Sequence, residues 1–209
     1  MDDLKLAALM CSKVCHDLIS PVGALSNGVE VLSEDDDAEM REHAMALLEN
    51  SAAQAAAKLK FARLAYGSSG SKGAEIDLRE GEAVVRDLFG GGKIEIIWEA
   101  PAAPINKDAL KVLLNLTAMA CDTIPRGGTL EIVVGLSDGE GLATLMAIGP
   151  KARLAEETRS GLDGRFGIDD LDVRTVLPYI SGLMARDFGP GIDIHTAEET
   201  VKFSFTFSA

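Results

Sequence analysis

Positive charge is scarce in this sequence: 20 lysines and arginines stand against 33 aspartates and glutamates, a net charge of −13. A surface this acidic repels phosphate backbones, which argues against nucleic acid as a partner and against an anionic membrane. Long apolar runs are missing too. No stretch reaches the roughly 18 apolar residues that read as a membrane span, and no basic segment followed by an apolar one marks a secretory leader. Cysteine is limited to Cys11, Cys15 and Cys121, an odd set without the look of a disulfide framework. These absences lead to the expectation of a reduced, cytoplasmic protein.

What is present in the first third is helical periodicity. Residues 3–66 keep it throughout, with one break at S-E-D-D-D, residues 33–37. Leu4, Cys11, Leu18, Leu25 and Leu32 recur at seven-residue spacing, and Ala8, Cys15, Val22 and Val29 form a second row. Past the break, Met45, Ala52, Leu59 and Tyr66 make one row and Leu48, Ala55 and Ala62 another. Interleaved rows of this kind form the seam of a bundle or coiled coil. So short a break makes the helices antiparallel neighbours, and its acidic run opposes the positive end of the second helix dipole. Two helices cannot close a core around seams this broad, so the expectation is a homodimer with a four-helix bundle.

Y-G-S-S-G-S-K-G at 66–73 reads as a linker, dividing the chain into a helical hairpin at 1–67 and a second domain at 74–209. In the latter, I-E-I-I-W-E (94–99) reads as a strand and residues 107–124 as a helix stopped by Pro125. T-L-E-I-V-V and L-A-T-L-M-A-I are strands joined through S-D-G-E-G, a good hairpin turn. A glycine-broken loop near 160–167 precedes a helix at about 172–188. G-I-D-I-H-T and V-K-F-S-F-T-F then close the chain as a hairpin. Helices in blocks between mostly antiparallel strands give an α+β fold with a helical layer.

The chemistry concentrates in C-S-K-V-C-H-D-L-I-S-P-V-G-A-L-S, residues 11–26. On a helical wheel His16 projects roughly 140° from the seam centre, so it is a surface histidine. Leu9, Ser20, Gly23 and Asn27 share its stripe, and the small residues after the ring would let another protein approach it. Asp17 is adjacent, and a carboxylate beside an imidazole can fix its tautomer and raise its basicity. Pro21 removes a backbone hydrogen bond near residue 17 and bends the helix there. Cys11 and Cys15 face the seam and His16 does not, so the three cannot share a metal; the cysteines read as small core residues. His43 and His195 have no supporting motif, and Asp35, Asp36 and Asp37 read as a capped, solvated turn. Trp98 reads as core. Phe61 and Leu64 lie outside the seam and face either the second domain or a partner.

The run H16-D-L-I-S-P21 resembles the H-box of histidine kinases, H-[E/D]-[L/I]-x-x-P, in which the histidine is phosphorylated on a dimeric helical hairpin. The second half is similar to the ATP-binding domain of those kinases: L113-L-N-L-T-A-M-A120 parallels the N-box helix, and the closing G-L-M-A-R-D-F-G-P-G-I-D-I…V-K-F-S-F-T-F parallels the last helix and hairpin. The nucleotide residues depart from that pattern. The magnesium-binding asparagine falls on Met119, although Asn115 is kept one turn earlier. The adenine-binding aspartate falls on Ala147, and the second glycine of its box on Lys151. Thioether and methyl groups neither ligate magnesium nor accept a hydrogen bond from adenine. A phosphoacceptor hairpin joined to a degenerate histidine-kinase ATPase-like α/β sandwich resembles the ChpT-type histidine phosphotransferases of alphaproteobacterial phosphorelays.

That resemblance implies reversible phosphoryl transfer between His16 and receiver-domain aspartates of a hybrid histidine kinase and of response regulators. Asp17 and Ser20 would assist at the ring. Leu9, Lys13, Gly23, Asn27 and, from the second helix, Lys58 would form the docking surface. The chain itself would bind neither nucleotide nor metal, magnesium belonging to the receiver's acidic pocket. On residues alone, an ATP-dependent kinase with differently aligned boxes and a non-catalytic scaffold stay open.

Overall fold

In the computed structural model, which describes residues 2–34, 37–68, 70 and 73–208, the chain begins with two long helices, α1 (Asp2–Glu34) and α2 (Ala38–Tyr66). Asp2 and Asp3 in the first turn of α1 oppose the positive end of its dipole. Asp37 caps α2, its carboxylate accepting the Glu39 N–H at 3.2 Å. Arg41 reaches back to donate to the Leu32 carbonyl at 2.9 Å, serving the open end of α1. The helices touch closely where Gly28 meets Leu48: a Cβ at Gly28 would lie 2.8 Å from Leu48 Cγ. Pro21 and Gly28 on α1 and Ala44 and Ser51 on α2 are buried. Asp35 and Asp36 lie outside the described residues.

The second region supplies β1 (Glu75–Asp77), α3 (Leu78–Phe89), β2 (Ile94–Glu99), β3 (Pro104–Asn106), α4 (Lys107–Thr123), β4 (Gly128–Ser137) and β5 (Glu140–Ile148). There follow α5 (Glu156–Leu162), a 3-10 turn (Ile168–Asp170), α6 (Val176–Arg186), β6 (Asp193–Ala197) and β7 (Thr200–Ser208). The main sheet has the order β2-β4-β5-β7-β6; β2 runs parallel to β4 and every other pair is antiparallel. β1 and β3 form a separate two-stranded ribbon. Asp138 (φ 52°) and Gly139 (φ 81°) both occupy the left-handed region in the β4–β5 turn, the backbone a tight two-residue hairpin requires.

Alternation decides which face of the sheet is covered. Leu130, Ile132 and Val134 of β4, Ala143, Leu145 and Ala147 of β5, and Val201, Phe203, Phe205 and Phe207 of β7 are buried. They pack on α4, whose Val112, Leu113, Leu114 and Leu116 are fully buried as well. Phe61 and Ala65, near the end of α2, belong to this same core. The Phe61 ring meets Phe89 edge-on at 5.8 Å. Phe61 therefore faces the second domain, and the hairpin is fastened to the sandwich rather than hung from it.

The architecture is the expected one, with differences in detail. The segment read as a glycine-broken loop begins inside α5, which runs as far as Leu162. The helix expected at 172–188 is shorter, and the ribbon strands β1 and β3 and helix α3 had not been resolved from the pattern. Trp98 is half-buried at the core's edge. Cys11 and Cys15 are exposed in the single chain, contrary to their reading as core: the hairpin packs through Pro21 and Gly28, which leaves the cysteine side of α1 uncovered. His43 is exposed and its Nδ1 lies 2.9 Å from the Glu39 carbonyl; His195 is exposed beside Asp193.

Candidate phosphoacceptor site

His16 stands midway along α1 with 77% of its side chain exposed. Its Nδ1 lies 3.5 Å from Asp17 Oδ1, which leaves Nε2 as the outward edge of the ring. Lys13, one turn earlier, holds the same carboxylate from the other side, its Nζ 2.7 and 2.5 Å from the two oxygens. This i, i+4 pair is partly buried, with side-chain exposures of 22% and 32%, so solvent screens it less than a surface pair.

Pro21 shapes the backbone here. In a regular helix the N–H of residue 21 would donate to the carbonyl of residue 17; proline has none, and its ring pushes that carbonyl aside. The freed Asp17 carbonyl accepts a hydrogen bond from Lys58 Nζ of α2 at 2.7 Å. The helix continues unbroken to Glu34.

Lys13, Asp17 and Lys58 line a cavity of about 300 Å³ between the hairpin and the second domain, together with Phe61, Tyr66, Met119, Asp122 and Arg174. Burial, reinforced by the Asp17 and Asp122 charges, pushes the Tyr66 hydroxyl well above its ordinary pKa. Loss of water against the cavity wall raises the Asp122 carboxyl; Lys13 pulls it back down and Asp17 raises it further.

The sequence-derived site residues divide into two groups. His16, Ser20, Gly23 and Asn27 are exposed along one stripe, Leu9 is half-buried at its upstream end, and nothing lies within 4 Å of a Cβ built on Gly23. Lys13 and Lys58 instead turn inward to Asp17. Tyr66, Asp122 and Arg174 were not anticipated, because they reach the cavity from the end of α2, from α4 and from the turn before α6, and no local motif marks them. The Lys58 contact had half a signal: Pro21 announces an orphaned carbonyl, but sequence does not say which helix supplies the donor.

The nucleotide positions are filled or buried. Met119 is 5% exposed and Ala147 is wholly buried in the sheet. Lys151 keeps a left-handed backbone (φ 62°), the shape a glycine would favour, while carrying a long side chain. Beside Met119 a second cavity is lined by Asp122, Glu156 and Glu157 against the single cation Arg153, a charge balance that opposes a triphosphate. Asn115 is buried in α4, its Oδ1 without a hydrogen-bond partner among the described residues. Also among the described residues, no group of three or more His, Cys, Asp or Glu could hold a metal, and no helix is long and apolar enough to cross a membrane.

Residues 78–200 match the family described as the histidine phosphotransferase C-terminal domain. The chain belongs to the histidine phosphotransferase family. It is 38% identical over 201 residues to protein phosphotransferase ChpT of Brucella abortus (strain 2308), an alignment covering 96% of this chain and 95% of that protein. A solved structure of a bacterial phosphotransferase superposes with a TM-score of 0.86 at 36% identity, covering 96% of this chain and 95% of the other. The family match runs from α3 to the start of β7, and both of these likenesses extend through the helical hairpin that carries His16.

Proposed function

We propose that this chain is the histidine carrier of a two-component phosphorelay, with His16 taking a phosphoryl group from one receiver-domain aspartate and delivering it to another. The observation that carries the reading is the placement of His16: exposed, with Asp17 on its Nδ1 side and Nε2 open to an incoming phosphate. With the proton on Nδ1, the Nε2 lone pair attacks phosphorus, the P–O bond of the aspartyl phosphate breaks, and the receiver carboxylate leaves. The ring becomes a phosphoimidazolium whose Nδ1–H faces the Asp17 carboxylate; the reverse step retraces this path. Such transfers depend on positioning and charge neutralisation, and the receiver's acidic pocket supplies the magnesium.

The stripe of exposed Ser20, Gly23 and Asn27, with half-buried Leu9 at its upstream end, is the docking surface in this reading. Ser20, one turn beyond His16, is placed to approach the transferred group. The hairpin at 1–67 and the sandwich at 74–209 act as phosphoacceptor and supporting domains. Homodimerisation is supported by an apolar face that the single chain leaves open: Leu4, Val22 and Val29 of α1 and Met45 and Leu59 of α2 are between 48% and 74% exposed. Two such faces meeting would make the four-helix bundle. Free thiols on the same face suit the reducing cytoplasm.

The test is phosphate incorporation into wild type and His16→Gln, offered either Mg-ATP or a receiver domain charged on its aspartate. Acid-labile label arriving only from the receiver, and absent in the variant, is expected. Label from ATP alone, or label retained by His16→Gln, would sink the proposal.

A further inference from the structure

We infer that Lys58 is a positioning residue for phosphoryl transfer, holding His16 in register by donating to the one α1 carbonyl that Pro21 leaves without a helical partner. This rests on the reading of His16 given above.

A carbonyl displaced by proline normally tilts out to water, and the helix bends away from that side. Here the freed carbonyl belongs to Asp17, the residue next to His16, and it points at α2 rather than at bulk water. Lys58 Nζ reaches it at 2.7 Å, a charge-assisted bond. Lys13 meanwhile holds both carboxylate oxygens of Asp17. Residue 17 is thus fixed by its main chain and by its side chain, from two different helices. The direction in which the adjacent His16 ring leaves the helix follows from that double anchor.

A cation on the second helix would ordinarily be read as a docking group for an acidic partner. The ammonium of Lys58 is partly buried and engaged within the chain, at the wall of the cavity shared with Tyr66 and Asp122. The exposed stripe of His16, where a partner would land, lies on another side of α1. Pro21 and Lys58 together form one device: proline creates the need for an outside donor beside the phosphoacceptor, and the lysine ties that point to α2. An alanine at position 21 would supply its own N–H and make the lysine unnecessary.

The dependence of one residue on the other gives the experiment. Transfer from a receiver domain charged with acetyl phosphate is measured as kcat and KM for the full-length chain carrying Lys58→Met, Lys58→Arg, Pro21→Ala and Pro21→Ala/Lys58→Met. Lys58→Met is expected to lower kcat about tenfold, in keeping with the sensitivity of transfer to ångström-scale misplacement, with KM for the receiver unchanged. Lys58→Arg restores most of the rate. In the Pro21→Ala background the same Lys58→Met change has little effect. A rise in KM at constant kcat would make Lys58 a docking cation and overturn the inference. An equal loss in both backgrounds, or no loss in either, would overturn it too. Label persisting in His16→Gln would instead remove the reading of the phosphoacceptor, so the two failures are distinguishable.

Discussion

Phe61→Ala probes the joint between hairpin and sandwich. The side chain is 3% exposed, and its ring meets Phe89 at 5.8 Å and Tyr66 at 6.3 Å, both edge-on. Truncating a buried phenylalanine costs roughly 3–5 kcal/mol, transfer and cavity terms together. Part of that is the edge-to-face contacts, worth about 0.5–1.5 kcal/mol each. For a chain of this size 1 kcal/mol moves Tm by roughly 2–4 °C, so a fall of about 6–20 °C is expected. Calorimetry at one fixed protein concentration is the assay, because association shifts apparent stability. Wild type should melt in a single transition, since Phe61 belongs to the core of the sheet. Phe61→Leu keeps most of the buried area and should lose less. A loss below about 0.5 kcal/mol, the size of an ordinary surface change, would refute the reasoning and leave the two regions independent.

Val22→Glu combined with Val29→Glu places charge on the open face of the hairpin, and light scattering should then find a monomer where a dimer is expected for wild type; an unchanged mass would move the interface elsewhere. Iodoacetamide at neutral pH should alkylate exposed Cys11 and Cys15 and spare buried Cys121, whose thiol is pushed up to about 12; peptide mapping reads this directly, and higher protein concentration should slow labelling of the first two alone. Asp77 caps α3 through the Arg79 N–H and also pairs with the Arg79 guanidinium, bonds that lower its pKa to about 2. Its stabilising contribution is therefore present above its ordinary pKa and lost as pH falls towards 2. The Tm gap between wild type and Asp77→Asn should close over that interval, and a gap that persists at pH 2 would contradict it.

The helical hairpin was legible because seven-residue rows survive any packing arrangement, but the rows could not say which contacts lie within a chain. Leu18, Leu25 and Leu32 are half-buried in the single chain, while Leu4 and Cys11 of the same row are exposed. Strands β4 and β5 were legible as apolar runs on either side of the Asp138–Gly139 turn, and β7 as the alternating V-K-F-S-F-T-F. Helix α5 was hidden because glycines at 161 and 164 read as breakers, whereas Gly161 packs under Pro178, whose Cβ would lie 2.7 Å from a Cβ placed there. At the site, His16, Asp17 and Pro21 announced themselves through spacing. Tyr66, Asp122 and the partner of the freed carbonyl come from elements that only the folded chain brings together.

The filled positions of Met119 and Ala147 bear on the energetics of signalling. A carrier that draws nothing from ATP hydrolysis cannot drive phosphate uphill. It equilibrates the phosphorylation levels of the receivers on either side of it, as a wire equalises potential. The sign of the current is then set by the partners: by how fast one is charged and the other drained. Charging the receiver that was drained, and draining the one that was charged, should reverse the flow without any change in this protein.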